Sequence, residues 1–310
     1  MGGLRPALLA LVLAGAAACG PPRPIGPEMV ERRSMCVPAG RWIDPATGFA
    51  TSLPDLVGRA HTSRLVLLGE DHDRAEHHQW QLHVVAALAG ASDALVLGFE
   101  MLPRSAAPAL ERWVAGESTR AELLRDTDWA RVWGFDPELY QPLFDFARMH
   151  RVPMRGLNAS RTLVARVARI GWSAVPTAER EGVSEPTPAG SAYRERLREA
   201  WAAHAHGPGD AAAFDRFVEA QLTWDRAMAD ALVAARASHP RAIVVGIVGR
   251  GHLEHGDGVP TQLAALGTPR PLVLLPWDVA RDCRDLSPDL ADAVFGVGLP
   301  RAASASHTSA

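Results

Sequence analysis

The sequence predicts an α/β fold with a mostly parallel sheet, helices on both faces and a smaller helical insertion. Short apolar segments without alternation suit strands that are covered on both faces. They are residues 65–68, 95–97, 152–157, 243–248 and 272–275. Helical periodicity separates them, at residues 76–88, 137–148 and 211–237. This alternation of strand and helix is typical of parallel sheets.

The composition places limits on the function. The chain has 310 residues, 22% of them charged, and a net charge of −3. Nucleic-acid-binding proteins normally carry a clustered basic excess, so we expect no nucleic-acid partner. All 32 basic residues are arginine, since the sequence contains no lysine. A ligand carboxylate would therefore be bound by arginine, histidine or backbone N–H groups.

The first residues have the pattern of a secretion signal. Arg5 precedes an apolar run from Ala7 to Ala14, which is shorter than the ~20 residues of a membrane span. Small residues at 16–18 then precede Cys19. The pattern predicts a signal peptide over residues 1–18, cleavage, and lipidation of Cys19. We therefore expect an exported protein with an N-terminal lipid anchor.

The chain after the predicted signal peptide divides into a tether, one domain and a tail. Residues 19–40 are rich in proline and glycine, as a tether would be. Residues 41–300 form the predicted α/β domain. Within it, residues 172–209 have no strand signal and are interpreted as the helical insertion. Residues 301–310 are predicted to be disordered.

Two cysteines remain if Cys19 is lipidated. Cys36 and Cys283 form an even pair in an oxidising compartment, which favours a disulfide between the N-terminal segment and the last part of the fold. The alternative is two unrelated buried thiols.

Ionisable residues follow three of the predicted strands. Glu70 and His72 follow the first, Glu100 follows the second, and His252 follows the third. Ligands bind at the carboxyl ends of the strands in open parallel sheets. The sequence therefore predicts that these four side chains lie in one cavity.

Two predicted helices carry polar residues on their apolar stripes. His77 and Gln81 lie on the stripe of residues 76–88, and Gln221 and Asp225 lie on that of residues 211–237. A buried carboxylate or imidazole needs a partner. We expect these residues to approach the same cavity, although Asp225 or Gln221 could instead cap a loop or pair with an arginine.

The chemistry of this set has two interpretations. Two carboxylates and two imidazoles suit a divalent metal ion, or they form a metal-free acid–base group. The sequence has no HExxH motif, no phosphate-binding glycine loop and no GxSxG elbow.

An ordered series of short motifs resembles the ChaN-like haem-binding lipoprotein family. It runs from about Arg64 to Leu266 and therefore covers most of the mature chain. Its members are Gly69-Glu70-Asp71-His72, His77-His78 with Gln81, Phe99-Glu100-Met101, Trp129 and Trp133 before Tyr140, Asn158, Ala220-Gln221 with Asp225 and Met228-Ala229, Gly249-Arg250-Gly251-His252, and Gly258-Val259-Pro260.

The resemblance implies a role in haem or iron uptake at the bacterial cell envelope, in the outer membrane, periplasm or cell surface. The family's haem site is described as a tyrosine ligand at a dimer interface with two stacked haems, so a homodimer on haem binding is expected. This chain has two tyrosines. We interpret Tyr140 as a packed core residue and predict Tyr193 as the iron ligand.

Three residues near Tyr193 complete the predicted haem site. Arg194, Arg198 and His204 are expected to contact the haem propionates. The flanking arginines would also lower the pKa of the Tyr193 phenol toward the phenolate that binds ferric iron.

The same motifs are similar to those of a wider superfamily that includes Tiki-type metalloproteases and erythromycin-esterase-like enzymes. This likeness implies a rival function, a peptidase or esterase that depends on a metal ion or on a Glu/His pair. Its catalytic or metal-binding residues would be Glu70, His72, Glu100 and His252. A third interpretation is an envelope protein with the same fold and no haem function. The resemblance favours haem binding over an enzyme.

Overall fold

A computed structural model describes residues 36–204 and 211–298, apart from the side chain of His204. The predicted signal peptide, the lipidation site Cys19, most of the predicted tether and the predicted tail at 301–310 lie outside the described residues.

One eight-stranded sheet forms the centre of the fold, with the order β2-β1-β8-β7-β3-β6-β4-β5. The strands from β3 to β8 pair in parallel, whereas β1 runs antiparallel to both β2 and β8. The strands are β1 (Trp42–Ile43), β2 (Ala50–Thr51), β3 (Leu65–Glu70), β4 (Leu95–Pro103), β5 (Met154–Asn158), β6 (Ile243–Gly249), β7 (Leu272–Asp278) and β8 (Ala293–Val297).

The described residues also form ten α-helices. They are α1 (Leu53–Ser63), α2 (Ala75–Ala91), α3 (Ala107–Ala115), α4 (Arg120–Asp126), α5 (Trp129–Val132), α6 (Gln141–Met149), α7 (Arg161–Ile170), α8 (Ser191–His204), α9 (Ala211–Ser238) and α10 (Val259–Ala265).

The helices cover both faces of the sheet. Alternate residues of β3 point to opposite faces. Val66 and Leu68 join an apolar cluster with residues of α2 and α6, such as Trp80 and Phe144. Leu65 and Leu67 join a second cluster, with residues of α9 and α10. This arrangement confirms the predicted α/β fold and explains why the strand segments are continuously apolar.

Two predicted boundaries need correction. The tether ends before residue 40, because Val37 is fully buried and Ala39 forms a β-bridge with Gly296. The segment predicted as a helical insertion is irregular in its first half, where one short 3-10 turn, Thr177–Glu179, precedes α8. Prolines at 176, 186 and 188 explain this, because each lacks the N–H that a helix needs.

None of the helices in the described part of the chain combines the length and the apolar character needed to span a membrane.

Candidate functional site

The ends of three neighbouring strands place the predicted site residues side by side. Glu70 is the last residue of β3 and pairs in register with Gly249 at the end of β6. The Gly249 N–H donates to Oε2 of Glu100 on β4 at 2.5 Å. Because β6 lies between β3 and β4, both carboxylates reach the same rim of the sheet.

The buried carboxylate of Glu70 is enclosed by hydrogen-bonding groups. Its Oε1 bonds His72 Nδ1 at 2.9 Å and accepts from the hydroxyl of Tyr140 at 2.7 Å. Its Oε2 accepts from Gln81 Nε2 at 3.0 Å and lies 3.3 Å from His78 Nδ1. Glu70 therefore supports His72 from behind and does not face the cavity, contrary to the expectation that all four side chains point to one centre.

Electrostatics keep Glu70 ionised. Burial opposes its ionisation, but the hydrogen bonds with His72 and His78 outweigh burial and hold the pKa of Glu70 well below its ordinary value. Burial likewise opposes protonation of His72, and the bond to Glu70 outweighs it, so the pKa of His72 is raised.

A second carboxylate–imidazole pair lies across the cavity. His252 Nδ1 lies 2.6 Å from Asp225 Oδ1, and the hydroxyl of Tyr193 donates to Asp225 Oδ2 at 2.9 Å. His252 Nε2 lies 3.7 Å from Glu100 Oε1. Burial favours the neutral ring, but the charges of Asp225 and Glu100 outweigh it and raise the pKa of His252 to about 9.

Glycine is required at position 249 because the site closes over it. A Cβ there would lie 2.7 Å from His72 Cε1 and 3.3 Å from Glu100 Oε2. Carbon atoms do not approach this closely, so any side chain would displace the imidazole.

These residues border a cavity of about 190 Å³. Its floor is polar, and its walls include the aromatic rings of Trp133, Phe135 and Trp224. The His72 ring lies 4.6 Å from that of Trp133, between centroids. The cavity is lined by His72, Glu100, Met101, Pro103, Val132, Trp133, Phe135, Asn158, Ala159, Arg161, Trp224 and His252.

Two of the predicted cavity residues lie elsewhere. His77 is fully buried but faces Asp71 and Asp278, with His77 Nε2 3.9 Å from Asp278 Oδ1. Gln221 on α9 is half-buried and does not line the cavity. Gln81 and Asp225 do reach it indirectly, through the histidines and Glu70.

The residues predicted to bind haem do not converge on one space. Tyr193 is buried and donates to Asp225, whereas the guanidinium groups of Arg194 and Arg198 both lie over the Phe214 ring, and Arg194 also pairs with Asp215. The side chain of His204 lies outside the described residues.

The expected direction of the Tyr193 pKa is wrong. Burial and the charge of Asp225 raise the pKa of Tyr193 well above its ordinary value and outweigh the opposing effect of Arg196. The phenol is therefore a hydrogen-bond donor at neutral pH. Tyr140 is in the same state, because burial and Glu70 raise its pKa as well.

A different group has the spacing of a metal site. Among the described residues, three ligand atoms lie within 4.8 Å of one another only in Asp71, His77 and Asp278. The Asp71 N–H donates to His77 Nδ1 at 2.9 Å, so a neutral ring carries its hydrogen on Nε2. Neither nitrogen then offers a lone pair, and this group does not suit a metal ion.

Sequence reasoning missed several residues of the site. His78 and Tyr140 contact Glu70, and Asn158 Nδ2 donates to the backbone oxygen of Glu100 at 3.1 Å. Trp133 Nε1 donates to the Tyr140 hydroxyl at 3.2 Å. Their shared signal was the ordered motif series, in which all four occur, since periodicity alone assigned none of them to the cavity.

Comparison with solved structures finds the same fold in ChaN of Campylobacter jejuni, in a structure described as cofacial haem binding. The TM-score is 0.65 at 20% identity, over 82% of this chain and 95% of that one. The type III effector HopBA1 is more distant, with a TM-score of 0.47 at 15% identity over 80% of this chain and 94% of that one. An erythromycin esterase, EreC, in its open conformation has a TM-score of 0.47 at 14% identity, over 76% of this chain and 77% of that one.

Curated protein sequences give no match. The sequence model of one protein family, described as "Haem-binding uptake, Tiki superfamily, ChaN", matches residues 56–263. This match spans β3, β4 and β6. It also includes every residue of the strand-end site, which consists of Glu70, His72, Glu100, Asp225 and His252. The chain therefore belongs to the ChaN family of the Tiki superfamily.

Proposed function

We propose that this protein binds haem and takes part in haem uptake. The observation that carries the proposal is the family match over residues 56–263, which includes the whole strand-end site. The related ChaN of Campylobacter jejuni, described with cofacial haem, supports it.

The mouth of the cavity suits an apolar macrocycle. Trp133 and Phe135 flank His72, and Phe135 is 38% exposed. Pockets that enclose a drug-sized ligand measure about 300–1,000 Å³, whereas this cavity measures about 190 Å³. We therefore place the porphyrin across the mouth, against the aromatic wall, and not inside.

The iron ligand has two candidates. Tyr193 stays our prediction from the resemblance, but as an iron ligand it must leave Asp225, to which its hydroxyl donates. His72 needs no such rearrangement, since its Nδ1 is held by Glu70 and its ring borders the cavity. A histidine oriented by a carboxylate is a common arrangement in metal sites.

A haemin titration followed by visible spectroscopy tests the proposal. We expect saturable binding by the wild type, and loss of the ferric ligand signature in Tyr193→Phe or in His72→Ala. Tyr140→Phe is the control, and loss only in that variant would move the ligand to Tyr140. If the absorbance change of wild-type protein does not saturate as haemin is added, haem binding is overturned.

Location and assembly form part of the same proposal. We propose export, cleavage before Cys19 and anchoring by acylation of that residue, with a homodimer forming on haem binding. Stable anchoring needs more than one acyl chain. Detergent partitioning that is equal for the wild type and Cys19→Ser would contradict the anchor, and a haem complex of monomeric mass would contradict the dimer.

A specific observation favours a second function, hydrolysis. Glu100 lies between two carboxylate–imidazole pairs, Glu70–His72 and Asp225–His252. In this proposal Glu100 takes a proton from water, the resulting hydroxide attacks an ester or amide carbonyl, and a protonated histidine gives its proton to the leaving group.

This second function is tested by measuring the hydrolysis of ester and peptide substrates by the wild type and by Glu100→Gln. We expect a loss of about 10²–10⁴-fold in the variant, as for removal of a general base. Activity equal in both proteins would exclude Glu100 as the base. The alternative is a divalent ion held by Glu70, His72, Glu100 and His252. The ligand atoms of these residues do not have the mutual spacing of a metal site in this structure, so they would have to move to hold an ion, and metal analysis of the purified protein tests this.

A further inference from the structure

We propose that Arg161 binds a propionate carboxylate of the haem at the mouth of the strand-end cavity. This inference rests on the proposed haem function and names the group that gives the site its preference for an anionic ligand. Arg161 was not among the residues that the sequence suggested for propionate binding.

The fold brings Arg161 to the cavity. β5 ends at Asn158, whose side chain bonds the backbone of Glu100, and α7 begins three residues later at Arg161. The Ser160 hydroxyl caps this helix by accepting from the Leu163 N–H at 3.1 Å. The first residue of α7 therefore stands at the same rim as His72 and Glu100.

Arg161 is the one arginine in the lining of this cavity among the described residues. It also lines the adjoining cavity of about 240 Å³, which shares Pro103, Val132 and Ala159 with the first. Its side chain thus borders both cavities, where a ligand lying across the mouth of the first would pass it.

The guanidinium of Arg161 has no carboxylate partner among the described residues. Its Nη2 makes one long contact, 3.5 Å, to the backbone oxygen of Trp133. By contrast, Arg194 and Arg198 already pair with Asp215 and Glu195. A guanidinium binds a carboxylate with two parallel hydrogen bonds, so Arg161 is the arginine of the rim with this capacity unused.

Polarity also orients a ligand at this cavity. The polar lining of the cavity holds the Glu100 carboxylate beside the His72 and His252 rings, whereas Arg161 borders the cavity from an exposed position. An amphipathic ligand with its carboxylates outward and its apolar ring against Trp133 and Phe135 matches this arrangement.

The test compares haemin with haemin dimethyl ester, which lacks both propionate charges. We expect Arg161→Gln to weaken haemin binding by roughly tenfold, as for loss of one charge-assisted pair, and to leave binding of the dimethyl ester unchanged. Arg169→Gln, on the same helix but not lining this cavity, is the control and should bind both like the wild type.

Each of the other outcomes overturns either the role of Arg161 or the haem function itself. Unchanged haemin affinity in Arg161→Gln, or an equal loss for haemin and its ester, overturns the role of Arg161, while haem binding itself stands. A loss confined to haemin in Arg198→Gln would move the propionate site to α8. Absence of saturable haemin binding by the wild type overturns the haem function, and with it the role of Arg161.

Discussion

Tyr193 donates its hydroxyl hydrogen to Asp225, and this bond joins α8 to the functional site. Asp225 is fully buried and uses its other oxygen to hold His252. The tyrosine thus completes the hydrogen bonding of a charge that would be costly to bury with one partner fewer.

Replacing Tyr193 with phenylalanine should therefore destabilise the protein. We expect a loss of about 1–2 kcal/mol in the free energy of unfolding, because Asp225 Oδ2 loses its donor in a buried place. Urea unfolding of the two proteins measures it.

Tyr140→Phe is the matched control. Its partner Glu70 keeps His72, Gln81 and His78, so the loss should be smaller. A larger loss in Tyr140→Phe than in Tyr193→Phe would contradict this account.

The raised pKa of His252 predicts a loss of stability at alkaline pH. Its pKa is about 9 in the folded protein against an ordinary 6.5. The protonated form is favoured by folding, so the contribution is complete below pH 6.5 and disappears as the pH rises through 9. The shift corresponds to about 3 kcal/mol.

The free energy of unfolding at pH 6.5 and 9.5 checks this, in the wild type and in His252→Asn. The variant should lose about 3 kcal/mol less over this interval than the wild type. His72 also has a raised pKa, and the charge of His252 opposes that rise, so part of the alkaline loss in His252→Asn comes from His72. Equal losses would show that His252 does not gain its proton on folding.

Because His72 lies so close to Gly249, we expect that adding one methyl group at position 249 reduces both stability and haemin binding. Gly249→Ala places a Cβ 2.7 Å from His72 Cε1 and should displace both His72 and Glu100. We expect about 1–3 kcal/mol of destabilisation, with weakened haemin binding. Unfolding and titration measure the two effects.

Gly251→Ala is the control, because a Cβ at Gly251 has no atom within 4 Å. It should resemble the wild type in both measurements. If Gly249→Ala binds haemin as tightly as Gly251→Ala, the geometry around Gly249 does not matter for the ligand.

The fold and the centre of the site were predictable from sequence because both follow from strand ends. Continuous apolar segments identified the buried strands, and a parallel sheet brings Glu70, Glu100 and His252 to one edge whatever their separation. Asp225 was found because it interrupts an apolar stripe.

The other residues of the site depend on side-chain packing, which the periodicity of the sequence does not encode. His77 and His78 are adjacent on α2 and both buried, but His78 turns toward Glu70 and His77 toward Asp71. About 100° separates neighbouring residues on a helix, so the apolar stripe did not distinguish them. Tyr140 reaches Glu70 across 70 residues of chain, through the packing of the segment before α6.

The contact between Cys36 and Cys283 supports the predicted disulfide between these two residues. The two cysteines are not joined in this structure, but their thiols hydrogen-bond to each other. Burial, and then Cys283, raise the pKa of the Cys36 thiol to about 11. Cys36 is therefore a weak nucleophile at neutral pH, and Cys283, which is exposed, should react first.

We expect glutathione disulfide to form a mixed disulfide at Cys283, which Cys36 then displaces with release of glutathione. The thiolate is the attacking species, so closure should accelerate as the pH rises above 8. In a Cys19→Ser background, intact-mass measurement should show the loss of two hydrogens, and the bond should stabilise the fold by about 2–4 kcal/mol. Cys36→Ser should stop at the glutathione adduct. A wild type that also stops there, or whose oxidised and reduced forms melt at one temperature, would leave these cysteines as two unconnected thiols.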